Sequence, residues 1–87
     1  MASVTLRYWG GARAAAGSAT ESVEAGSVAD AVAAAVARRP GDDAFAAVMD
    51  RCSVLVDGTA RPRAQWSDPL VGTVTVELLP PFAGGAS

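Results

Sequence analysis

SVADAVAAAVARRP, Ser27 to Pro40, is the stretch that decides the fold. Ser27 stands where its hydroxyl can cap a first turn, Asp30 follows three positions later as in a capping box, and Val28, Ala31, Val32, Ala35 and Val36 recur at helical spacing. This spacing predicts one amphipathic helix beginning at Val28. Arg38 and Arg39 fall in its last turn, where cations suit the negative end of the helix dipole, and Pro40 with Gly41 stops it. A helix with a single apolar stripe needs an apolar surface to lie on, and the sequence on either side supplies strands for it.

Before the helix, Val4 to Trp9 sets Val4, Leu6 and Tyr8 on one face of a strand and Thr5, Arg7 and Trp9 on the other. GGARAAAG, Gly10 to Gly17, makes a flexible or briefly helical connection to a weaker strand over Ala19 to Glu24, which pairs with the first as a hairpin. After the helix, Asp42 and Asp43 cap a short second helix through Met49, with Phe45, Val48 and Met49 inward. Cys52 to Val56 is a strand, Asp57 and Gly58 a tight turn, and Thr59 to Arg61 a short returning strand ended by Pro62. WSDPL, Trp66 to Leu70, is a turn between two apolar anchors. Val71 to Leu79 then alternates, with Val74, Val76 and Leu78 on one face and Thr73, Thr75 and Glu77 on the other.

These elements make a two-layer α+β domain: one mixed sheet packed against one main helix, with a short second helix. Residues 1–79 form that single domain and residues 80–87 a flexible C-terminal tail. The sheet's other face meets water or a partner, and strand parity puts Trp9 with Arg7, and Leu79 with Glu77, on it. A Trp there either forms part of a docking surface or tucks against a neighbouring loop.

The 87 residues suffice for one modest core, and with 51% of them apolar and 18% charged the composition is that of a globular domain. The formal net charge is −2, and the seven basic residues are all Arg with no run longer than Arg38–Arg39, so nucleic acid is not an expected partner. No stretch approaches the roughly 18 apolar residues of a membrane span, and the N-terminal residues carry no leader pattern, so a cytoplasmic protein is expected. There is no His and Cys52 is the only Cys, which leaves the common metal and general-base constellations without their usual members. Cys52 reads as a structural thiol at the start of a strand rather than a reactive one.

The residues that carry a family resemblance are TLRYWGGARAAAG at Thr5 to Gly17, the Ser-capped helix, VLVDG at Val54 to Gly58, and VELLPPFAGG at Val76 to Gly85. In this order they resemble the MoaD and ThiS family of sulfur carrier proteins, most closely the MoaD branch, the small subunit of molybdopterin synthase. The resemblance covers almost the whole chain and implies the β-grasp fold of ubiquitin. It further implies that the carboxyl of Gly85, with Gly84 as its slim companion, is adenylated by an ATP-using activating enzyme and then thiocarboxylated. The sulfur would pass to a pterin precursor in the large synthase subunit. By the same resemblance Trp9 holds a hydrophobic docking position, Arg13 a loop arginine, and Leu79, Pro80, Pro81, Phe82 and Ala83 the stem that enters a partner. No bound cofactor is implied, since ATP belongs to the partner.

The tail's chemistry follows from its residues. Glycines without Cβ suit a narrow catalytic tunnel, while Pro80 and Pro81 end the ladder so that the chain projects from it. Fully extended, Pro80 to Gly85 reaches about 20 Å. Ala86 and Ser87 depart from the family pattern: two further residues put a free carboxyl roughly 7 Å beyond Gly85, whereas reacting atoms meet at about 3–3.5 Å. The expectation is cleavage between Gly85 and Ala86 by a metalloprotease. Other acceptors in thiamine, cysteine or secondary-metabolite synthesis, and a ubiquitin-like modifier joined to lysine amines, use the same tail.

Overall fold

The computed structural model describes residues 1–81. The first strand, β1 (Ala2–Tyr8), buries Ala2, Val4, Leu6 and Tyr8 and turns Ser3, Thr5 and Arg7 to the other side, as its alternation requires. A short helix α1 (Gly10–Ala16) leads to β2 (Thr20–Ala25), then come α2 (Val28–Ala37), α3 (Asp43–Arg51), β3 (Ser53–Val56), β4 (Thr59–Ala60), a 3₁₀ turn at Arg63–Gln65, and β5 (Gly72–Leu79). The sheet runs in the order β2-β1-β5-β3-β4. Its central pair, β1 with β5, is parallel, and the outer pairings are antiparallel.

One face of this mixed sheet carries the core. Val4, Leu6, Tyr8, Val54, Val74, Val76 and Leu78 meet Ala12 of α1, Val28, Ala31 and Ala35 of α2, and Phe45 and Met49 of α3 in one cluster. The alanines at these contacts have no long side chain to hold the helices away from the strands. Trp66 and Leu70 anchor the crossover into β5: the Trp66 carbonyl accepts from Ala29 N–H at 3.0 Å, and Leu70 N–H donates to the Gly26 carbonyl at 2.8 Å. That crossover therefore closes over the start of α2. The hairpin turn is tight because Asp57 and Gly58 both have positive φ, 48° and 84°, as two-residue hairpins with the sheet's twist demand.

The capping expectations hold. Ser27 Oγ accepts from Asp30 N–H at 3.1 Å, and Asp42 Oδ1 accepts from Phe45 N–H at 3.0 Å. The connection after β1 takes the briefly helical of its two expected forms, over Gly10–Ala16, and adds a short helix beside the main one and the second one. Trp9 in extended conformation starts α1 by accepting from Ala12 and Arg13 N–H groups, and burial of Ala12 fixes the helix against the core. Two other expectations need correction. Arg38 is the C-cap of α2 and Arg39 lies beyond it, not in its last turn. Arg39 turns back to donate to the carbonyls of Ala35 at 3.0 Å and Ala16 at 3.2 Å, so one guanidinium serves the C-terminal ends of α2 and α1. Finally, β3 begins at Ser53, because Cys52 still caps α3 through its N–H to the Met49 carbonyl, and β4 ends at Ala60, one residue short of Arg61.

A polar cluster sits at the edge of the core. The Tyr8 hydroxyl donates to Glu21 Oε1 at 2.6 Å, while Arg39 and Arg38 each approach the Glu21 carboxylate at 2.9 Å. Arg39 also lies 4.3 Å over the Phe45 ring. Burial pushes the Glu21 carboxyl up, but hydrogen bonds from Tyr8, Arg39 and Arg38 outweigh it, and its pKa is lowered on balance. Burial, reinforced by the Glu21 carboxylate, raises that of Tyr8.

Candidate functional site

Parallel pairing of β1 and β5 determines where the candidate residues meet. Two parallel neighbours end at the same side of a sheet, so the residues after Tyr8 and those after Leu78, partners in register, emerge together. Trp9 N–H continues the ladder by donating to the Leu78 carbonyl at 3.2 Å. Gly10 then turns with φ +49°, and the position where a Cβ would stand is 3.5 Å from Pro80 Cγ. The start of α1 and the beginning of the PPFAGG stem are thus in contact.

Trp9 is 40% exposed, which places it on the solvent face of the sheet and not in the core. It is held there on two sides: its Nε1–H donates to Glu77 Oε1 at 3.0 Å, and the Arg7 guanidinium lies 4.8 Å over its ring. Leu79 is half-buried, follows Leu78 out of the core layer, and pairs with Ser53 of β3. Pro80 and Pro81 line a cleft of about 210 Å³ with Gly11, Val48 and Arg51. Neither proline has an N–H for a further ladder bond, and β5 ends at Leu79 as they require.

Arg13 is on α1 but not in that cleft. Its side chain is exposed and lines a separate concavity with Gly10, Ala14, Gly17 and Ser18. The structure therefore brings Trp9, Leu79, Pro80 and Pro81 to one end of the sheet and sets Arg13 on the flank of α1. Phe82, Ala83, Gly84, Gly85, Ala86 and Ser87 lie outside the described residues. Sequence reasoning missed Arg51 and Val48, which reach the stem only because α3 packs against α1. It also missed the Glu77 acceptor for Trp9, although strand parity had placed both side chains on the same face.

Cys52 is buried, its Sγ donates to the Val48 carbonyl at 3.3 Å, and burial raises its pKa, so the thiol is a protonated part of the core. Among the described residues no group of His, Cys, Asp and Glu is arranged to hold a metal, and no helix is long and apolar enough to cross a membrane.

A mixed five-stranded sheet with a parallel central pair, covered on one face by helices, with its last strand running out into a Pro-Pro stem, defines the ubiquitin-like β-grasp class. Within that class the chain belongs to the ThiS family, whose model matches residues 6–85. Solved structures agree on the fold. Small archaeal modifier protein 1 from Methanosarcina acetivorans superimposes with a TM-score of 0.80 at 21% identity, covering 98% of each chain. The same-named protein from Haloferax volcanii gives a TM-score of 0.77 at 26% identity over 95% of this chain and 99% of that one. Molybdopterin-converting factor of Helicobacter pylori 26695, in a complex of its subunits 1 and 2, gives a TM-score of 0.65 at 15% identity, covering 91% of this chain and 93% of that one. No curated protein sequence matches significantly.

Proposed function

We propose that this chain is a sulfur carrier whose working group is the carboxyl of Gly85, and that its sulfur goes to a pterin precursor in molybdopterin synthesis. The observation that carries this reading is the contact between the start of α1 and the stem: Trp9, Leu79, Pro80 and Pro81 surround the point where VELLPPFAGG leaves the sheet. The family match supports it as well, because it runs through Gly85 and leaves Ala86 and Ser87 aside. In this reading residues 1–79 are the folded domain and residues 80–87 the C-terminal tail, in which Phe82 and Ala83 seat the stem in a partner, while Gly84 and Gly85 pass a narrow channel. Trp9 and Leu79 give the partner an apolar footing beside the stem, and Arg13 contributes a charge from the flank of α1.

Chemistry requires a free end. The Gly85 carbonyl is in a peptide bond to Ala86, so cleavage of that bond, by a metalloprotease in this reading, comes first. The freed carboxylate attacks the α-phosphate of ATP on an activating enzyme and displaces pyrophosphate; a sulfur nucleophile then displaces AMP and leaves a thiocarboxylate. The chain binds no cofactor of its own in this scheme, and ATP is the activating enzyme's substrate. The Helicobacter pylori neighbour's complex with its subunit 2 supports a large synthase subunit as the receiving partner. The chain works in the cytoplasm in this account.

The likeness to two small archaeal modifier proteins favours a second reading, attachment of the same Gly85 carboxyl to protein amines. Capture from source cells on an immobilised form, with the chain ending at Gly85, separates the two. Recovery of a molybdopterin synthase large subunit supports the carrier reading. Lysine-linked conjugates, or a thiazole synthase in its place, overturn it.

A further inference from the structure

Arg51 borders two clefts. Besides the one at Pro80 and Pro81, it lines a larger cleft of about 410 Å³ with Arg61 and Arg63, walled by Val54, Pro62 and Trp66 among others. Three arginines thus line one concavity in a chain whose formal net charge is −2. Arg63 is partly committed. Its guanidinium stacks 4.1 Å over the Trp66 ring, donates to the Asp50 carbonyl, and stands 3.7 Å from the exposed Asp50 carboxylate. Trp66 is fixed in turn by its Nε1–H donating to the Arg61 carbonyl at 3.1 Å, which gives the cleft a firm floor.

Arg61 is different, because its Nη1 is buried and has no hydrogen-bond partner among the described residues. A charged donor left without an acceptor is costly, and a ligand carboxylate in the cleft supplies one once the guanidinium turns toward it. Arg51 has no carboxylate partner among the described residues either. The donors are forks, and planar forks of this kind match carboxylates two bonds at a time.

We propose that the three-arginine cleft binds a carboxylate side chain from an acidic segment of the protein that handles the Gly85 end. This rests on the carrier reading, since Arg51 would hold such a segment against the stem that leaves at Pro81. A peptide carboxylate fits better than a nucleic acid. The Asp50 carboxylate at the rim and the negative net charge oppose a polyanion, whereas Val54, Pro62 and Trp66 offer apolar contact to a glutamate's methylenes.

The test is an NMR titration of the full chain, following the arginine Nε–H and tryptophan indole signals, with a capped tetraglutamate peptide at low ionic strength. A parallel titration uses inorganic phosphate. The expected result is saturable movement of Arg51, Arg61, Arg63 and Trp66 with Arg7 and Arg13 still, and a peptide affinity reduced about tenfold by Arg61→Gln. The exposed Arg51→Gln variant should also weaken binding and serves if Arg61→Gln does not fold. Equal movement of Arg7 and Arg13, no saturation, tighter binding of phosphate than of peptide, or indifference to both substitutions would overturn the proposal. The titration needs no ATP, cleavage or partner, so its failure leaves the carrier reading standing. A chain that binds the peptide but never gains sulfur sinks that reading instead.

Discussion

Replacing Glu21 by Gln tests how the edge of the core is held. The carboxylate takes a 2.6 Å hydrogen bond from Tyr8 and 2.9 Å contacts from Arg38 and Arg39. The Arg38 side chain is half exposed, so that pair contributes about 0.5 kcal/mol or less. Arg39 and Tyr8 are largely enclosed, and hydrogen bonds to a charged group contribute about 1.5–3 kcal/mol each. Gln keeps an oxygen that can accept one of them, and Arg39 keeps the Ala16 and Ala35 carbonyls, so the expected loss at neutral pH is about 2 kcal/mol. For a domain of this size that corresponds to a melting temperature lower by about 10 °C. The pH dependence supplies an internal control. The folded-state pKa of Glu21 lies below its unfolded value, so its stabilisation is fully present above the unfolded value and is lost as pH falls through the lowered folded one. Urea denaturation should therefore show wild type well above Glu21→Gln at neutral pH, with the gap closing as the solution is acidified through and below the carboxylate range. A gap that persists unchanged in acid, or no gap at neutral pH, would refute the reasoning.

Trp9→Ala should cost about 1–2 kcal/mol in chemical denaturation, because it removes one exposed hydrogen bond, one exposed cation–π contact and a ring only partly covered. A loss above about 4 kcal/mol, the scale of a core aromatic, would contradict its placement on the surface. Gly10→Ala should cost about 1 kcal/mol through its positive φ alone, since the added methyl would meet Pro80 Cγ at an ordinary 3.5 Å; a much larger loss would mean that the stem is packed more tightly than described. Cys52 should react with iodoacetamide far more slowly in the native chain than in urea, because the thiol is buried and its pKa raised. Labelling at the rate of the unfolded chain would refute that burial.

The alternation of Val4, Leu6 and Tyr8 and of Val74, Val76 and Leu78 was legible because a strand with one buried face repeats every two residues. The Ser27 cap and the Asp57–Gly58 turn were legible because each depends on neighbours in sequence. What the sequence concealed depends on distant partners. GGARAAAG offers weak helical signals, and α1 forms because Ala12 fills a hole in the core beside α3. Arg39 reads as an ordinary helix-terminal cation, yet its guanidinium joins Ala16, Ala35 and Glu21 across three elements. At the candidate site Trp9, Pro80 and Pro81 could be singled out one by one. Their meeting required the β1–β5 pairing, and the arginines at positions 51, 61 and 63 share a cleft only after α3, β4 and the 3₁₀ turn have folded together.

The central claim concerns one carboxyl group, and intact-mass measurement addresses it most directly. Two forms, one ending at Gly85 and one retaining Ala86, are incubated with ATP, an activating enzyme of the family and a sulfur donor. The account predicts that only the form ending at Gly85 gains the mass of one oxygen replaced by sulfur, on its terminal residue. Sulfur gained equally by the form that retains Ala86, or by neither form, would contradict it.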